Sequence, residues 1–478
     1  MMKPISIQKL ADLVAAQEII IPEKLADAQL NRVEFDSRRV EPGTLFVPLV
    51  GGATDGHSYA KQAAVQGATA ILWSRPLDEF PSEIDTCAVI KVPDTLLAMQ
   101  QLARAYRLVI NPKVVAITGS NGKTTTKDMT AAVLAEHYQV HKTAGNYNNE
   151  IGLPHTILSM PETTEVLVVE LGMSNFGEIE TLSQIALPDI AAVTIIGESH
   201  LEYLGSRAGI AQAKTEILDG LQSGGLFIYP GGEVLIEEQL QRRGYRGRTL
   251  TFGWQEHQDL YAYDLMIYSQ SMTFKTNLTG TRTCQIPVLG DYNVTNALIA
   301  LAVGRDLGVP VEAALEGLAH FQLTANRMEW LQTPAGALLL NDAYNASPTS
   351  MKAVIQTLTK ANISGQGRKM ALLGDMRELG PMSQSLHQGL SQVLDPGEIP
   401  YVFLFGTEME HLYHVLQAKY DDDHLYWEAD SHQAIAHRVE AELQAGDILL
   451  VKSSNGVNLL SVVAMLTAGR QAERNHDL

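Results

Sequence analysis

The segment Thr118-Gly119-Ser120-Asn121-Gly122-Lys123-Thr124-Thr125 constrains this chain more than any other. It follows Lys113-Val114-Val115-Ala116-Ile117-Thr118, a β-branched apolar run that reads as a buried strand. It opens a stretch whose Met129, Ala132, Val133 and Leu134 suit a helix packed on a sheet. Strand, glycine turn and helix in that order fit a parallel sheet with helices over its faces, the turn lying at the sheet's carboxyl edge. The same residues imply a phosphate site. Glycines let backbone N–H groups approach an anion, the helix N-terminus adds partial positive charge, and Lys123 can reach outer phosphates. Thr124 offers a hydroxyl to Mg²⁺. The strict GxxxxGK[ST] spacing is not met, because Ile117 stands where the first glycine belongs. A plain Gly-Asn turn would give similar letters, but the strand before it and the helix after it favour the phosphate site.

The alternation continues in both directions. Before the loop come Thr44-Leu45-Phe46-Val47, Ala70-Ile71-Leu72-Trp73 and Ala88-Val89-Ile90-Lys91-Val92, with helices predicted over Tyr59–Gln66 and Thr95–Val109. Asn111-Pro112 breaks the last helix, since the residue before proline is pushed out of the helical region. After the loop, strands are predicted at Val166–Val169 and Ile190–Ile195, and 226–290 is rich in strand and turn residues. The pattern restarts from about 326 with runs at Leu338–Leu340, Met370–Leu373, Val402–Phe405 and Ile448–Val451. At 478 residues and roughly 150 per domain, three domains are expected. We place them at 1–112, 113–325 and 326–478, all of α/β class.

Net charge narrows the partners. With 35 basic against 54 acidic residues the formal charge is −19, which makes non-specific nucleic-acid binding unfavourable and leaves phosphate recognition to a local site. The two cysteines, Cys87 and Cys284, form no CxxC pattern, which argues against a disulfide framework and suits a reducing cytosol. No run of about 18 apolar residues occurs, so no membrane span is expected. Asp12, Gln17 and Glu18 interrupt the apolar positions near the N-terminus, so no secretory signal is read. These features predict a cytoplasmic protein, and the lack of heptads makes a monomer the default.

A phosphate loop that does chemistry needs carboxylates beside it. Glu170 ends the run 166–169 and so projects from a strand's carboxyl end, where doubly wound sheets bind ligands. His200 lies just past the strand at 190–195, in the polar loop Gly197-Glu198-Ser199-His200-Leu201-Glu202. Lys214 and Glu216 follow in a short helical stretch. Spacing alone gives Lys214 no role beyond a solvated charge.

Taken together, these segments resemble the Mur ligase family of ATP-dependent amide ligases, and the likeness runs along essentially the whole chain. The loop at 119–125 is similar to that family's own phosphate loop, which accounts for the missing first glycine. The resemblance implies an N-terminal UDP-substrate domain, a central ATP-binding domain and a C-terminal Rossmann-like domain. It places Thr118 through Thr125 on ATP, with Lys123, Glu170, His200 and Lys214 as catalytic residues. It also gives Thr124, Glu170, His200 and a carbamylated Lys214 to Mg²⁺. Gly290 through Asn296 is similar to the family's adenine-proximal segment, with Asn293 and Asn296 on its asparagines; Arg327 and Asp342 match residues that reach ATP and its ribose. Asp291 and the Lys452-Ser453-Ser454-Asn455-Gly456 run depart from the usual pattern.

Four segments narrow the resemblance to the branch that joins D-alanyl-D-alanine to UDP-N-acetylmuramoyl-tripeptide. They are Asp36-Ser37-Arg38 with Asp55-Gly56-His57, Gly145 through Gly152 with Asn148 and Asn149, Asn341 through Pro348 with Tyr344 and Asn345, and Gly374-Asp375-Met376-Arg377-Glu378-Leu379-Gly380. The implied substrate-binding residues are those two triplets, Asn148, Asn149, Tyr344, Asn345, Asp375, Met376 and Lys452. The implied cofactors are ATP and Mg²⁺, and the implied route is through an acyl phosphate, with a hinge near 322–330. Two other readings stay open from the residues: a sibling ligase adding lysine or diaminopimelate or a folylpolyglutamate-type ligase, and a non-catalytic nucleotide sensor.

Overall fold

The computed structural model describes residues 2–52, 54–361 and 367–474. Its N-terminal part carries strands β1 (Ile5–Ser6), β2 (Glu18–Ile20), β3 (Gln29–Leu30), β4 (Arg32–Glu34), β5 (Thr44–Phe46), β6 (Ala70–Trp73) and β7 (Ala88–Lys91). β1 and β3 form a two-stranded antiparallel ladder. The others make a five-stranded sheet ordered β2-β7-β6-β5-β4, parallel except at the edge strand β2. The helix Thr95–Ile110 starts where the Asp94 side chain accepts from Leu97 N, and stops where Asn111 turns left-handed at φ +53. The helix predicted over Tyr59–Gln66 begins as a 3-10 turn, Gly56–Tyr59, because the Asp55 carboxylate caps His57 N and tightens the entry; the α-helix proper is Ala60–Gln66.

The central part carries β8 (Lys113–Thr118), β9 (Val140–Lys142), β10 (Val166–Glu170), β11 (Ile190–Val193), β12 (Leu226–Pro230), β13 (Arg248–Gly253), β14 (Leu260–Ile267), β15 (Met272–Thr276) and β16 (Cys284–Ile286). They form one nine-stranded sheet ordered β16-β15-β14-β13-β12-β11-β8-β10-β9. Pairing is parallel from β9 to β14 and antiparallel through the meander β14-β15-β16. β8 is buried on both faces, and its alternate residues feed two different cores. Val115 and Ile117 join Met129, Val133 and Leu134 of the helix Lys123–Ala135, whereas Val114 and Ala116 join Met99 and Leu102 of the helix Thr95–Ile110. The N-terminal part is thus packed on one face of the central sheet and the phosphate-loop helix on the other. β11 ends two residues before the apolar run does. Past Val193, the Thr194 hydroxyl bonds Asn121 O at 2.5 Å and Ile195 O accepts from Ser120 N at 2.9 Å, so the end of the run holds the loop.

The C-terminal part carries β17 (Glu329–Gln332), β18 (Leu338–Asp342), β19 (Lys369–Gly374), β20 (Tyr401–Phe405), β21 (Leu425–Glu428) and β22 (Ile448–Lys452). Their order is β17-β18-β22-β19-β20-β21, parallel except for β17. The fold is therefore α/β in three parts, each built around its own largely parallel sheet. The C-terminal part meets the central one along a polar seam: Asn121 Nδ2 donates to Ser347 Oγ at 3.0 Å and Thr349 Oγ1 to Glu198 Oε2 at 2.5 Å. Among the described residues, no helix is long and apolar enough to cross a membrane.

Candidate active site

The loop after β8 owes its shape to two glycines. Gly119 has φ +147 and a Cβ there would lie 1.8 Å from Thr194 Oγ1; Gly122 has φ +81 and forms the N-cap of the helix Lys123–Ala135. Lys123 Nζ folds back to donate to Gly119 O at 2.8 Å, and burial lowers its pKa against the pull of Glu170. Thr124 Oγ1 donates to Glu170 Oε2 at 2.9 Å. Glu170, 2% exposed at the end of β10, accepts on its other oxygen from Asn148 Nδ2 at 2.8 Å. Thr118, by contrast, points into the core, where its hydroxyl has no hydrogen-bond partner.

A cavity opens beside this loop. Asn121, Gly122 and Thr125 form one wall, and Asn293 and Asn296 another. Arg327, Asp342, Asn345 and Lys452 close it from the C-terminal part. The asparagines brace each other: Asn293 Nδ2 donates to Leu289 O at 2.6 Å and Asn296 Nδ2 to Asn293 Oδ1 at 3.0 Å. Arg327 stacks over Tyr344 at 4.1 Å, and its Nη2 lies 3.5 Å from Thr124 Oγ1. Asp342 takes Lys452 Nζ at 2.5 Å, and the same ammonium donates to Asn345 O at 2.8 Å. Lys452 and Asn345, expected at the substrate, are among the residues lining this cavity. Tyr292, Thr295, Thr349 and Ser350 also line it and were not foreseen. Tyr292 and Thr295 lie within the quoted 290–296 segment, and a polar residue there was the available signal.

Lys214 is 2% exposed, at the end of the helix Arg207–Thr215. Among the described residues its amine has no hydrogen-bond or ion-pair partner. Burial, and then the charge of Lys123, push its pKa well below the usual lysine range. A fully buried lysine is normally paired. His200 caps the short helix Leu201–Leu204 in a left-handed conformation, φ +64, and its Nδ1 lies 2.6 Å from Glu378 Oε2 across the seam. Glu378 is itself left-handed at φ +62; such backbone costs about 1–3 kcal/mol per residue. Among the described residues, no three His, Cys, Asp or Glu side chains converge on one point as a ready-made metal cage.

The expected substrate residues fall into separate places. In the N-terminal part, Asp36 pairs with Arg38 at 2.8 Å, whose hydrogen bond holds the carboxyl down at about 2, and Ser37 Oγ donates to Gln62 Oε1 at 3.0 Å. Gly56 passes so close to Leu49 that a Cβ would lie 2.5 Å from its backbone nitrogen. Asp55 pairs with Arg75 and, at 2.7 Å, with His57 Nδ1, while His57 Nε2 lies 3.0 Å from Ser74 Oγ. His57 is 3% exposed. Asn149 Oδ1 accepts from Gly152 N at 2.9 Å and shapes the start of the helix Gly152–Leu158. A second cavity lies between Arg39 of the N-terminal part and Lys142, Tyr147 and His155 of the central one. In the C-terminal part, Asp375 is turned inward to accept from Met409 N at 2.9 Å, burial raising its pKa, and Met376 is a core residue at 1% exposure.

Comparison with known proteins agrees with this architecture. Sequence profiles of the Mur ligase family match in chain order: the catalytic domain at residues 29–107, the middle domain at 117–304 and the glutamate ligase domain at 326–455. UDP-N-acetylmuramoyl-tripeptide--D-alanyl-D-alanine ligase of Bacillus subtilis is 43% identical over 434 residues, covering 91% of this chain and 92% of its own. The enzyme of that name from Escherichia coli is 35% identical, over 80% and 83%. Among solved structures, MurF from Acinetobacter baumannii superposes with a TM-score of 0.84 at 29% identity, covering 97% and 99% of the two chains. MurF from Thermotoga maritima in complex with ADP gives 0.79 at 29% identity, over 91% and 97%.

Proposed function

Because this chain belongs to the Mur ligase family, we propose that it is an ATP-dependent amide ligase joining D-alanyl-D-alanine to UDP-N-acetylmuramoyl-tripeptide in peptidoglycan precursor synthesis. The observation that carries this reading to the chain's own residues is the pairing of Thr124 with Glu170 at the sheet's carboxyl edge, beside a cavity closed by Arg327 and Asp342. That is a nucleotide site with its reacting end on a carboxylate and a hydroxyl.

A carboxylate is a poor electrophile, so the amide is made in two steps. The γ-phosphoryl group of ATP passes to the C-terminal carboxylate of the tripeptide, giving an acyl phosphate and ADP. The amine of D-alanyl-D-alanine then attacks the acyl carbon, losing a proton, and the tetrahedral intermediate expels phosphate. The first step brings two anions together. Lys123 leaves Gly119 O for the outer phosphates, and Arg327 adds a second cation; each such group supplies roughly 2–4 kcal/mol of transition-state stabilisation. Asn293 and Asn296 flank the base and Asp342 holds the ribose, with Lys452 fixing Asp342.

The residues present fit Mg²⁺. Thr124 and Glu170 offer hard oxygen donors, and an ion that keeps several waters and shares phosphate oxygens needs no protein cage. Bound there, with His200 and a carbamate on Lys214, the ion would neutralise charge on the phosphates. Lys214 suits carbamylation because burial lowers its pKa, and an amine that gives up its proton more readily is more available to CO₂.

We assign residues 1–112 to the UDP end of the acceptor, 113–325 to ATP and 326–478 to the dipeptide. Asp36–Arg38 and Asp55–His57 shape the first of these, Asn148 and Asn149 face the muramoyl-peptide, and Tyr344, Asp375 and Met376 support the dipeptide side. The protein works as a cytoplasmic monomer. Incubation of the purified chain with ATP and each acceptor and amine tests the reading. Phosphate release is expected with the tripeptide acceptor and D-alanyl-D-alanine. Release only with a dipeptide acceptor and lysine or diaminopimelate would overturn it.

A further inference from the structure

His200 and Glu378 face each other across the seam, one from the central part and one from the C-terminal part, and both are left-handed. Their contact is held from both sides. Glu202 N donates to Glu378 O at 3.1 Å, and a Cβ on Gly380 would touch Glu202 at 3.4 Å. Around Glu378, Arg377 N donates to Ser454 Oγ at 3.0 Å, and Leu379 is 3% exposed in the core. The side chains of the pair are 26% and 40% exposed. A hydrogen bond that open to water returns little stability, less than the strain of two left-handed residues. Strain kept without a return in stability points to a role in function.

We propose that Glu378 is the positioning residue of His200: a carboxylate from the C-terminal part that fixes the imidazole's tautomer and ring plane when the two parts are docked. The proposal rests on the active-site reading of His200 given above. With Nδ1–H donated to Glu378, Nε2 carries the lone pair, the form in which a histidine can hold a cation. When the C-terminal part leaves, Glu378 leaves with it and the ring is free to turn. The central part's site is then complete only in the docked molecule, so that ATP is not spent before the amine-binding part is in place.

The test uses the full chain with Glu378→Ala, Glu378→Gln and His200→Ala. Losing a carboxylate behind a ligating histidine lowers metal affinity or activity by about 10–100-fold, so kcat of both Glu378 variants is expected to fall by that factor while KM for the UDP-linked acceptor moves by less than about twofold. A readout without turnover is Mn²⁺ titration by electron paramagnetic resonance in the presence of ADP, where both Glu378 variants are expected to bind Mn²⁺ about tenfold more weakly or worse. Adding Glu378→Ala to His200→Ala should cost nothing further. Should Glu378→Ala melt early, the isosteric Glu378→Gln carries the measurement. If His200→Ala loses kcat and Mn²⁺ affinity while the Glu378 variants keep both, or if the two losses multiply in the double variant, Glu378 does not act through His200. If His200→Ala itself changes neither quantity, the active-site reading fails with it.

Discussion

Lys214 is enclosed with no counterion among the described residues, and Lys123 adds a second positive charge to its surroundings. An ammonium there is disfavoured twice over, by burial and by repulsion, and its pKa is pushed well below the usual lysine range. Addition of CO₂ would reverse the sign of the group and turn the repulsion into attraction. Lys214→Ala should therefore lose most turnover and recover part of it when a short carboxylic acid such as acetate is added to the assay. No recovery at any acid concentration would mean that the side chain does something other than carry a negative charge. Lys214 was invisible to spacing, because a lysine in a short helix looks like any solvated charge until its burial is known. The places of Thr124 and Glu170 were legible, because the loop pattern fixes one and the carboxyl end of an apolar strand fixes the other. What a motif does not give is side-chain direction: the local packing turns Met376 into the core and lets Asp375 accept from Met409 N.

The elements around the site hold it through two particular contacts. Gly119 has no room for a side chain, since the Thr194 hydroxyl that would be struck also holds Asn121 O. Gly119→Ala should leave a cooperative unfolding transition but weaken ADP binding by calorimetry about tenfold or more, as expected for about 1–3 kcal/mol of strain in the loop. Unchanged ADP affinity would show that the loop tolerates the shift. Asp128, on the helix that Lys123 begins, is 2% exposed. It accepts from Lys142 Nζ at 2.7 Å and from Thr324 N and Oγ1 at 2.9 and 2.8 Å, with Lys127 Nζ 3.4 Å away. Burial alone would raise its pKa, but the two lysines bring it below the usual carboxylate range. Removing it strands a buried ammonium, so Asp128→Ala should lower unfolding free energy in urea by about 3–5 kcal/mol. A loss under about 1 kcal/mol would mean that Lys127 and Lys142 find other partners. Long apolar runs announced their strands to within a residue or two, as at β6 and β8. β17 and β21 were missed because Glu329-Trp330-Leu331-Gln332 and Leu425-Tyr426-Trp427-Glu428 are short, edge-placed and partly exposed, without a run to signal them.

At the scale of the whole molecule, alternation of strands and helices was enough to give three α/β parts, because a parallel strand must be followed by a crossover. How the parts meet was not readable, since Asn121 and Ser347 lie 226 positions apart and no local pattern links them. The connection between the central and C-terminal parts is pinned at Thr324 by Asp128. Beyond it, Asn326 and Met328 are left-handed at φ +64 and +48 on either side of Arg327. Rotation about this short stretch would carry Arg327, Asp342 and Glu378 to or from the phosphate loop as one body. Small-angle scattering should accordingly give a larger radius of gyration for the chain alone than for the chain with a non-hydrolysable ATP analogue and acceptor. Identical profiles would fix the arrangement and remove the hinge. The cavity beside the loop has Asn121 and Thr125 on one side and Arg327 and Lys452 on the other, so its opposite walls ride on different bodies. A synthetic compound bridging them would work as a wedge that staples the jaws shut. Its dwell time would then be governed by how seldom the jaws part, and a weak grip on each wall could still yield a slow-leaving inhibitor.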